Sequence, residues 1–457
     1  MPPRIRQRQS EPRFTRAIQS KLQIEYRPTG ALKASSAELR RYQKRHQEHL
    51  LQALQKYSFV LPVVVDKDDQ VIHGSRLLLA AEELGISEVP TVKLDHLSKE
   101  EARVLRISLH KLEELSSWDE VVLKSELNFL VEYDVDLVTH TAFSTAELDA
   151  LLYAPAKEVC GDPDEELPAI EQQAVSRAGD VWEFIGDHRL GCLDALEEAS
   201  YRKLLGEELA GLIICDPPYN VKIRGNVSNR KDAREFAMAS GEMSRSEFET
   251  FLRTSFELSA RFAREGALSY EFIDWRHLGE MLAAGEAIYS RLLNVCMWAK
   301  SNGGQGSFYR SAHEFCFVWK IGEAPHINNI ELGRNGRNRT NVWSYPGTNV
   351  PRSRLQREDE KHVTPKNVAM VQDAILDASH RGDIVLDAFA GSGTTLVAAH
   401  RAKRRGFGLE IDPLYADLIV RRMERITGEP ARLAGCERTF SEVTAERRSP
   451  PCRIRSR

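Results

Sequence analysis

The stretch Asp383-Ile384-Val385-Leu386-Asp387-Ala388-Phe389-Ala390-Gly391-Ser392-Gly393-Thr394-Thr395 decides the fold class of this chain. It begins with a short apolar run that ends in an acid, which is typical of a buried strand in a parallel sheet. Its two glycines allow a tight turn and a close approach of the backbone to a ligand. Leu396, Ala399 and Ala402 then follow at helical spacing. The pattern predicts an α/β fold with a nucleotide-type site, where a helix N-terminus favours a carboxylate.

A second predicted strand ends in an acid a little further along the chain. The segment Gly406-Phe407-Gly408-Leu409-Glu410 puts Glu410 17 residues after Gly393. Ribose-binding acids occur at an interval of about 20 residues from such a turn. Leu396 stands where the dinucleotide-binding pattern has its third glycine, and the glycine pair alone would fit NAD equally well.

A third apolar run leads into a rigid turn. Leu212-Ile213-Ile214-Cys215 predicts another buried strand, and Asp216-Pro217-Pro218-Tyr219 follows it directly. Ligands of open α/β sheets bind at the carboxyl ends of the strands, so an active site is expected at this tetrapeptide. Asp-Pro-Pro also occurs in ordinary turns, and the motif alone leaves that alternative open.

The residue types of the tetrapeptide suit the activation of an exocyclic amino group on a nucleobase. Such an amino group is a poor nucleophile, because its lone pair is delocalised into the ring. The Asp216 carboxylate can accept one N–H and the Pro217 carbonyl the other, while Pro217 and Pro218 hold the loop rigid. Tyr219 can stack on a base swung out of a duplex. Positioning then supplies much of the rate, without a metal or a covalent intermediate.

Together these motifs resemble those of the N6-adenine/N4-cytosine DNA methyltransferases over residues 176–430. Their order is similar to that of the β class, with the catalytic loop before the target-recognition region and the cofactor loop after it. The resemblance implies an α/β, Rossmann-like S-adenosylmethionine-dependent methyltransferase fold with permuted motif order. Ala388 replaces the proline of the family's Asp-Pro-Phe-Ala-Gly-Ser-Gly. The resemblance also implies S-adenosyl-L-methionine as cofactor, bound by Asp387, Phe389, Ala390, Gly391, Gly393, Thr394 and Glu410.

Two further segments extend this resemblance. The segment from Gly179 to Asp194 looks like the family's lead-in strand, with Asp194 in contact with the adenine of the cofactor. The family has Gly-Asp where this chain has Leu193-Asp194.

The second segment, His362-Val363-Thr364-Pro365-Lys366-Asn367, is similar to the family's His-Pro-Thr-x-Lys-Pro element. Val363 and Asn367 replace its prolines, and Thr364 and Lys366 match. The resemblance implies that this element helps to bind the methionine end of the cofactor.

The N-terminal segment resembles the ParB/sulfiredoxin-like domain, a small α+β fold, over residues 71–90. Gly74 and Arg76 occupy the positions where that family cradles phosphates, but Leu77 replaces its second arginine. This departure argues against CTP binding or hydrolysis and favours a structural or DNA-docking role. ParB-like domains fused to this methyltransferase type look like those of phage and mobile-element modification enzymes.

Composition suggests the remaining boundaries. The acidic, proline-containing run at 157–173 reads as a linker, and the arginine-rich ends read as disordered tails. The predicted domains are a basic tail at 1–18, the ParB/sulfiredoxin-like domain at 19–115, a helical connector at 116–155, an acidic linker at 156–175, the methyltransferase domain at 176–430 and a basic tail at 431–457.

Target recognition is assigned to residues 221–360, which carry few strand signals. The segment 333–341 is rich in Arg and Asn, the side chains that best read guanine and adenine edges. We therefore expect Arg334, Arg337 and Arg339 to contact DNA, with a solvated surface loop as the alternative. His313 and Glu314 are interpreted as supporting or packing residues and not as catalytic ones.

Composition limits the classes of protein to consider. The 457 residues carry a net charge of −4, which opposes non-specific DNA binding except at the basic ends. No apolar run reaches the roughly 18 residues of a membrane span. The seven cysteines include no Cys-x-x-Cys pair and predict reduced core residues in a cytoplasmic protein. The resemblance implies a bacterial or phage-encoded, nucleoid-associated protein, and we expect no metal.

The expected function is site-specific methylation of double-stranded DNA, with adenine N6 favoured because Asp216 opens the motif. Cytosine N4 is the first alternative. A ParB-like DNA-binding scaffold with an inactive methylase domain is another, and methylation of RNA or of a protein glutamine is a third. A homodimer and cognate restriction or phage components are partners that the sequence leaves open.

Overall fold

The computed structural model describes residues 22–34, 39–42, 44–133, 137–138, 140–153, 163–221, 238–301, 303, 308–333, 337–347 and 365–448. The chain divides into two compact units, Met1–Ser144 and Thr145–Arg457. Among the described residues, no helix has the length and apolar character needed to cross a membrane. The predicted tail at 1–18 lies outside these ranges.

The first unit contains a four-stranded sheet in the order β1-β4-β2-β3. Its strands are β1 (Ile24–Pro28), β2 (Val63–Asp66), β3 (Val71–His73) and β4 (Glu88–Leu94). Its described helices are α1 (Lys44–Tyr57), α2 (Ser75–Glu83), α3 (Lys99–Glu114) and α4 (Glu120–Tyr133). Gly74 precedes α2 with a φ of 93°, which favours glycine. Val63, Val65, Leu78 and Val89 form the centre of its core, as expected for an α+β unit.

The second unit contains a ten-stranded sheet in the order β11-β9-β10-β8-β7-β12-β13-β6-β5-β14. Its strands are β5 (Val181–Phe184), β6 (His188–Gly191), β7 (Ala210–Cys215), β8 (Ala263–Ile273), β9 (Arg291–Ala299), β10 (His313–Lys320), β11 (Val342–Ser344), β12 (Ile384–Asp387), β13 (Arg405–Leu409) and β14 (Arg432–Leu433). Its described helices are α5 (Thr145–Leu152), α6 (Glu198–Leu205), α7 (Arg245–Arg261), α8 (Leu278–Ile288), α9 (Val368–Ala378), α10 (Thr394–Arg401), α11 (Pro413–Thr427) and α12 (Phe440–Arg448).

The centre of this sheet is parallel and buried. β8, β7, β12, β13 and β6 are successive parallel neighbours. Every residue of β7 and β12 is buried, which matches their continuous apolar sequences. β7 lies far ahead of β12 in the chain but beside it in the sheet, with Ile213 opposite Leu386. The predicted α/β methyltransferase fold with permuted order is confirmed.

The region assigned to target recognition, 221–360, contributes more to the sheet than its sequence indicated. β8, β9 and β10 are antiparallel neighbours within it, and β8 also pairs with β7. The expectation of few strands there is wrong. β10 keeps Cys316, Phe317, Val318 and Trp319 buried, so these strands extend the core rather than form a separate module.

The predicted C-terminal tail is also ordered in part. β14 pairs with β5, and Phe440 and Val443 of α12 are buried. Phe440 packs edge-on against Trp182 with ring centroids 5.1 Å apart. The segment 431–448 is therefore part of the second unit. Its few apolar side chains, such as Phe440, pack against β5. Residues 449–457 lie outside the described ranges.

The predicted acidic linker likewise packs on the second unit over its described part, 163–175. Asp164 accepts a 2.7 Å hydrogen bond from Arg401 Nε. Val175 is buried and its N–H donates to Asp417 at 2.6 Å. The acidic character that suggested a linker instead complements arginines of α10 and α11.

The boundary between the units falls inside the predicted connector at 116–155. α4 belongs to the first unit and α5 to the second. Asp149 of α5 is fully buried and pairs with Arg404 at 2.8 Å and Arg381 at 3.1 Å. This buried pairing explains why α5 stays with the second unit.

Candidate active site

Four acidic residues follow four neighbouring parallel strands at the same edge of the sheet. Because parallel strands end on the same side, the carboxyl ends of β6, β13, β12 and β7 form one row. The row carries Asp194, Glu410, Asp387 and Asp216, all of them predicted site residues. Ligands of such sheets bind outside these ends.

Asp216 has both carboxylate oxygens engaged. Its Oδ1 accepts a hydrogen bond from the Tyr219 hydroxyl at 2.5 Å. Its Oδ2 accepts one from Lys366 Nζ at 2.6 Å. The side chain of Asp216 is still 33% exposed, whereas that of Lys366 is 9% exposed. Lys366 therefore lies on the buried side of the pair, and Asp216 lies on the side exposed to solvent.

The loop that carries Asp216 is fixed at its far end by Asn220. The Asn220 amide nitrogen donates to the Met243 carbonyl at 2.8 Å. Its amide oxygen accepts from Gly241 N at 3.0 Å and Met243 N at 3.1 Å. Pro217 is buried, while Pro218 and Tyr219 are half-buried. The turn is thus held by prolines at its centre and by an amide clamp at its end.

Glu314, at the start of β10, is a residue of this site that the sequence did not reveal as such. Its Oε2 lies 3.0 Å from Lys366 Nζ and 3.3 Å from the Tyr219 hydroxyl. Its Oε1 is paired with Lys300. In the structure, Glu314 of β10 lies opposite Trp298 of β9. The sequence signal that could have indicated this is the glycine-rich stretch between Lys300 and Glu314, which is typical of a turn between two strands.

In the cluster of Asp216, Glu314, Lys366 and Lys300, each charge stabilises the ionised form of its partners. Burial opposes ionisation of Glu314, but Lys366 and Lys300 lower its pKa to about 2. Burial also opposes the charge of Lys366, but Asp216 and Glu314 raise the pKa of its ammonium. Burial raises the pKa of Tyr219 well above its usual range, so its hydroxyl remains a donor. Asp216 consequently lies beside a permanent ammonium and a neutral phenol.

The cofactor-type turn after β12 is held by local hydrogen bonds. Asp387 accepts from the Phe389 N–H at 3.0 Å and from the Thr395 hydroxyl at 2.5 Å. Glu410 accepts from the N–H groups of Gly391 at 2.9 Å and Asp412 at 2.8 Å. Burial raises the pKa of Asp387 to about 7 and that of Glu410 to about 8, against these hydrogen bonds.

These residues fit a nucleoside cofactor that carries hydroxyl groups and a cationic centre. Among the described residues, the Phe389 carbonyl oxygen, at 3.7 Å, is the one atom within 4 Å of a Cβ atom added to Gly391, so these residues leave space above the strand end. Glu410 is half-buried, and its carboxyl group lies beside the turn at Gly391, where its oxygens can accept further hydrogen bonds from hydroxyl groups. Gly393 and Thr394 begin α10, and Ala390 is buried behind the turn.

Two of the predicted cofactor ligands are placed differently or are not described. Lys366 was expected at the methionine end of the cofactor, and the structure pairs its ammonium with the catalytic loop. Thr364 lies outside the described residues. Asp194 follows β6 beside Glu410, since Leu193 N donates to the Glu410 carbonyl at 3.2 Å.

The predicted DNA contacts of Arg337 and Arg339 need correction. Arg337 is 2% exposed and its Nη2 donates to Asp377 at 2.7 Å. Arg339 Nη1 donates to Asp373 at 3.0 Å and to the Tyr345 hydroxyl at 2.6 Å. Both guanidinium groups anchor this segment to α9, so they are not available to contact a base. Arg334 lies outside the described residues.

Comparison with known proteins agrees with this geometry. Residues 210–421 match the family described as DNA methylase, of the N6/N4 type. The chain is 23% identical to the Type II methyltransferase M.HpaI of Haemophilus parainfluenzae over 252 residues, which cover 52% of this chain and 74% of that protein. It is 28% identical to the Type II methyltransferase M2.MboI of Moraxella bovis over 144 residues, which cover 30% of this chain and 51% of that protein, about half its length.

A solved structure is similar to another part of the chain. The C-terminally truncated chromosome-partitioning protein ParB of Caulobacter crescentus, complexed with CTP-γ-S, aligns with 28% of this chain and 77% of its own. The identity is 15% and the TM-score 0.25. For the second unit, the match of residues 210–421 to the DNA methylase family agrees with the row of strand-end acids.

Proposed function

We propose that the chain transfers a methyl group from S-adenosyl-L-methionine to an exocyclic amino group of a base in double-stranded DNA. One observation carries the proposal above all. The carboxylate of Asp216 and the turn that begins at Asp387 follow adjacent parallel strands, β7 and β12, with Ile213 opposite Leu386. A methyl donor held at one strand end would therefore lie next to an amino group held at the other.

The catalytic loop would act by hydrogen bonding. An amino group seated at Asp216 donates one N–H to the carboxylate and the other to the Pro217 carbonyl. This draws the nitrogen lone pair out of conjugation and aims it away from the loop. Tyr219, whose hydroxyl is fixed 2.5 Å from Asp216, would hold the flipped base against its ring.

The cofactor would lie along the row of acids. Glu410 would accept from ribose hydroxyls and Asp194 from the adenine, while Asp387 would order the turn through Phe389 and Thr395. Bound there, S-adenosylmethionine would supply an electrophilic methyl group and leave as S-adenosylhomocysteine, while the amino nitrogen would release one proton. The chain itself contributes position and the exclusion of water, which convert a bimolecular reaction into one within a single complex.

Adenine N6 is the target that we favour, because an aspartate rather than a serine opens the motif. Cytosine N4 presents the same pair of N–H donors and is the alternative. The proposed partner is duplex DNA, and recognition of one sequence is assigned to the second unit.

The test is methyl transfer from tritiated S-adenosylmethionine to DNA by the full chain and by Asp216→Ala. We expect transfer by the native chain and none by the variant, while both bind the cofactor in calorimetry. Modification-sensitive sequencing of DNA from cells that express the chain then identifies the base and the recognition sequence. Transfer that survives the substitution would refute the role of Asp216, and transfer to RNA in preference to DNA would refute the proposed substrate.

A further inference from the structure

Each oxygen of the catalytic carboxylate already accepts a hydrogen bond in this structure. Tyr219 occupies Asp216 Oδ1 and Lys366 occupies Oδ2. Each oxygen can accept a second hydrogen bond, so an incoming amino group competes with these donors, and its own hydrogen bond to Asp216 strengthens when one of them shifts away. Lys366 is the stronger competitor, because an ammonium–carboxylate hydrogen bond is stronger than a neutral one.

The displaced donors need another acceptor nearby. Lys366 is 9% exposed, so an ammonium that left Asp216 without a new partner would be an uncompensated buried charge. Glu314 Oε2 already lies 3.0 Å from Lys366 Nζ and 3.3 Å from the Tyr219 hydroxyl. The same two donors thus stand between two carboxylates.

From this geometry we propose that Glu314 is a positioning residue, which takes over Lys366 when Asp216 accepts the amino group of the target base. The inference rests on the proposed function and identifies what makes Asp216 available. The Lys366 ammonium shifts from Asp216 Oδ2 towards Glu314 Oε2, which already lies 3.0 Å away, so it remains paired throughout. The net charge of the cluster does not change when a neutral base enters.

Lys300 has a complementary part in this arrangement. It pairs with Glu314 Oε1 and so leaves Oε2 directed at Lys366 and Tyr219. It also lies over the ring of Trp298, with its Nζ 4.5 Å from the centroid, which limits its freedom. Glu314 is thereby fixed before the base arrives, so little reorganisation is needed at that step.

The experiment compares Glu314→Gln with Glu314→Asp, using the full chain, tritiated S-adenosylmethionine and a duplex that carries the sequence methylated by the native protein. Glutamine keeps the shape but cannot carry the charge, while aspartate keeps the charge on a shorter side chain. Glu286→Gln, which neutralises an exposed carboxylate of α8, is the matched control.

We expect Glu314→Gln to lower kcat at least about tenfold, with the KM for DNA and the dissociation constant of S-adenosylmethionine within about twofold of the native values. The loss falls on kcat because duplex binding does not require the exchange, whereas base engagement does. Aspartate is expected to restore more activity than glutamine, and the control variant to match the native chain.

The ranking of the two variants decides the matter, including the case in which both are impaired. Glutamine equal to or better than aspartate means that Glu314 only fills space, which overturns the inference. A change confined to KM overturns it as well. The absence of methylation by the native chain would instead refute the proposed function, so the two failures are distinguishable.

Discussion

The cofactor turn after β12 and the catalytic loop after β7 lie side by side but are stabilised in opposite ways. Asp387 receives its hydrogen bonds from residues 2 and 8 positions away. Asp216 is held by Lys366, 150 positions away, and its partner Tyr219 also contacts Glu314, 95 positions away. One half is a local structure built on neutral donors, and the other is an assembly of distant charges.

The two halves differ in how their carboxyl groups respond to charge. Burial raises the pKa of Asp387 and Glu410 towards neutrality, where binding of a cofactor can change their charge state. In the catalytic half, opposite charges lower the pKa of Glu314 and raise that of Lys366, so the ionisation state is fixed. The carboxyl groups of the cofactor half can therefore change their protonation state near neutral pH. The charged groups of the catalytic half keep their charges and can change only their hydrogen-bond partners.

The largest expected effect separates the two halves by function. Asp216→Asn should lower kcat at least about a hundredfold, because the amide offers a weaker acceptor and a competing donor. The affinity for S-adenosylmethionine should remain within about twofold. Asp387→Asn should do the reverse and weaken cofactor binding first. Calorimetry and single-turnover transfer measure both, and equal loss of cofactor affinity in the two variants would contradict the division.

Lys366→Met tests the charged half by stability. The substitution leaves Asp216 and Glu314 close together, with Lys300 as the remaining paired cation among the described residues. We expect a decrease of about 2 kcal/mol in the free energy of unfolding, reduced from the value for a fully buried pair because Asp216 is partly exposed. Urea denaturation of the full chain checks this. No decrease would mean that the cluster relaxes freely.

Thr395→Val tests the local half and should have a smaller effect. It removes the hydroxyl that donates to Asp387 at 2.5 Å and keeps the shape of the side chain. The expected decrease is about 1 kcal/mol, with a severalfold weaker affinity for S-adenosylmethionine. Thr250→Val, at an exposed position of α7, is the control. A decrease larger than that of Lys366→Met would reverse the order proposed for the two halves.

The smallest expected effect is a pH dependence of opposite sign in the two halves. The pKa values of Asp387 and Glu410 are raised by folding, so their contribution to stability is present at low pH and is lost as the pH rises through about 7 to 8. The pKa of Glu314 is lowered, so its contribution is lost as the pH falls below its ordinary value towards 2.

Thermal melting between pH 6 and 9 checks the first part. We expect the cofactor-free chain to lose about 2 °C or more over this range, and Glu410→Gln to flatten the slope. A slope that the variant leaves unchanged would assign the effect to other groups.

The comparison also explains what the sequence could predict. The strands β7, β12 and β13 and the helix α10 were predicted, since each is a local apolar pattern that ends in a turn. Lys366 was recognised as a site residue but was expected at the methionine end of the cofactor. Its pairing with Asp216 depends on the order of strands in the sheet, which local periodicity does not encode.

Glu314 was interpreted only as a supporting or packing residue for the same reason. It lies at the start of β10, and only the order β10-β8-β7 brings that strand within reach of Tyr219. For Arg337 and Arg339 the error was the opposite one, because a role in DNA binding was predicted for residues that have a structural role. Their composition suited base recognition, but Asp373 and Asp377 of α9 neutralise them in the core. In both cases, the partner of a charge decided its role.

The amide clamp of Asn220 has a consequence for how this protein could diversify. It ties residue 220 to residues 241 and 243, so the two ends of the intervening stretch stay together whatever that stretch contains. Doubling the length of a closed loop costs only about 0.6 kcal/mol. A change in the length or sequence of this stretch is therefore expected to leave Asp216 in its position after β7.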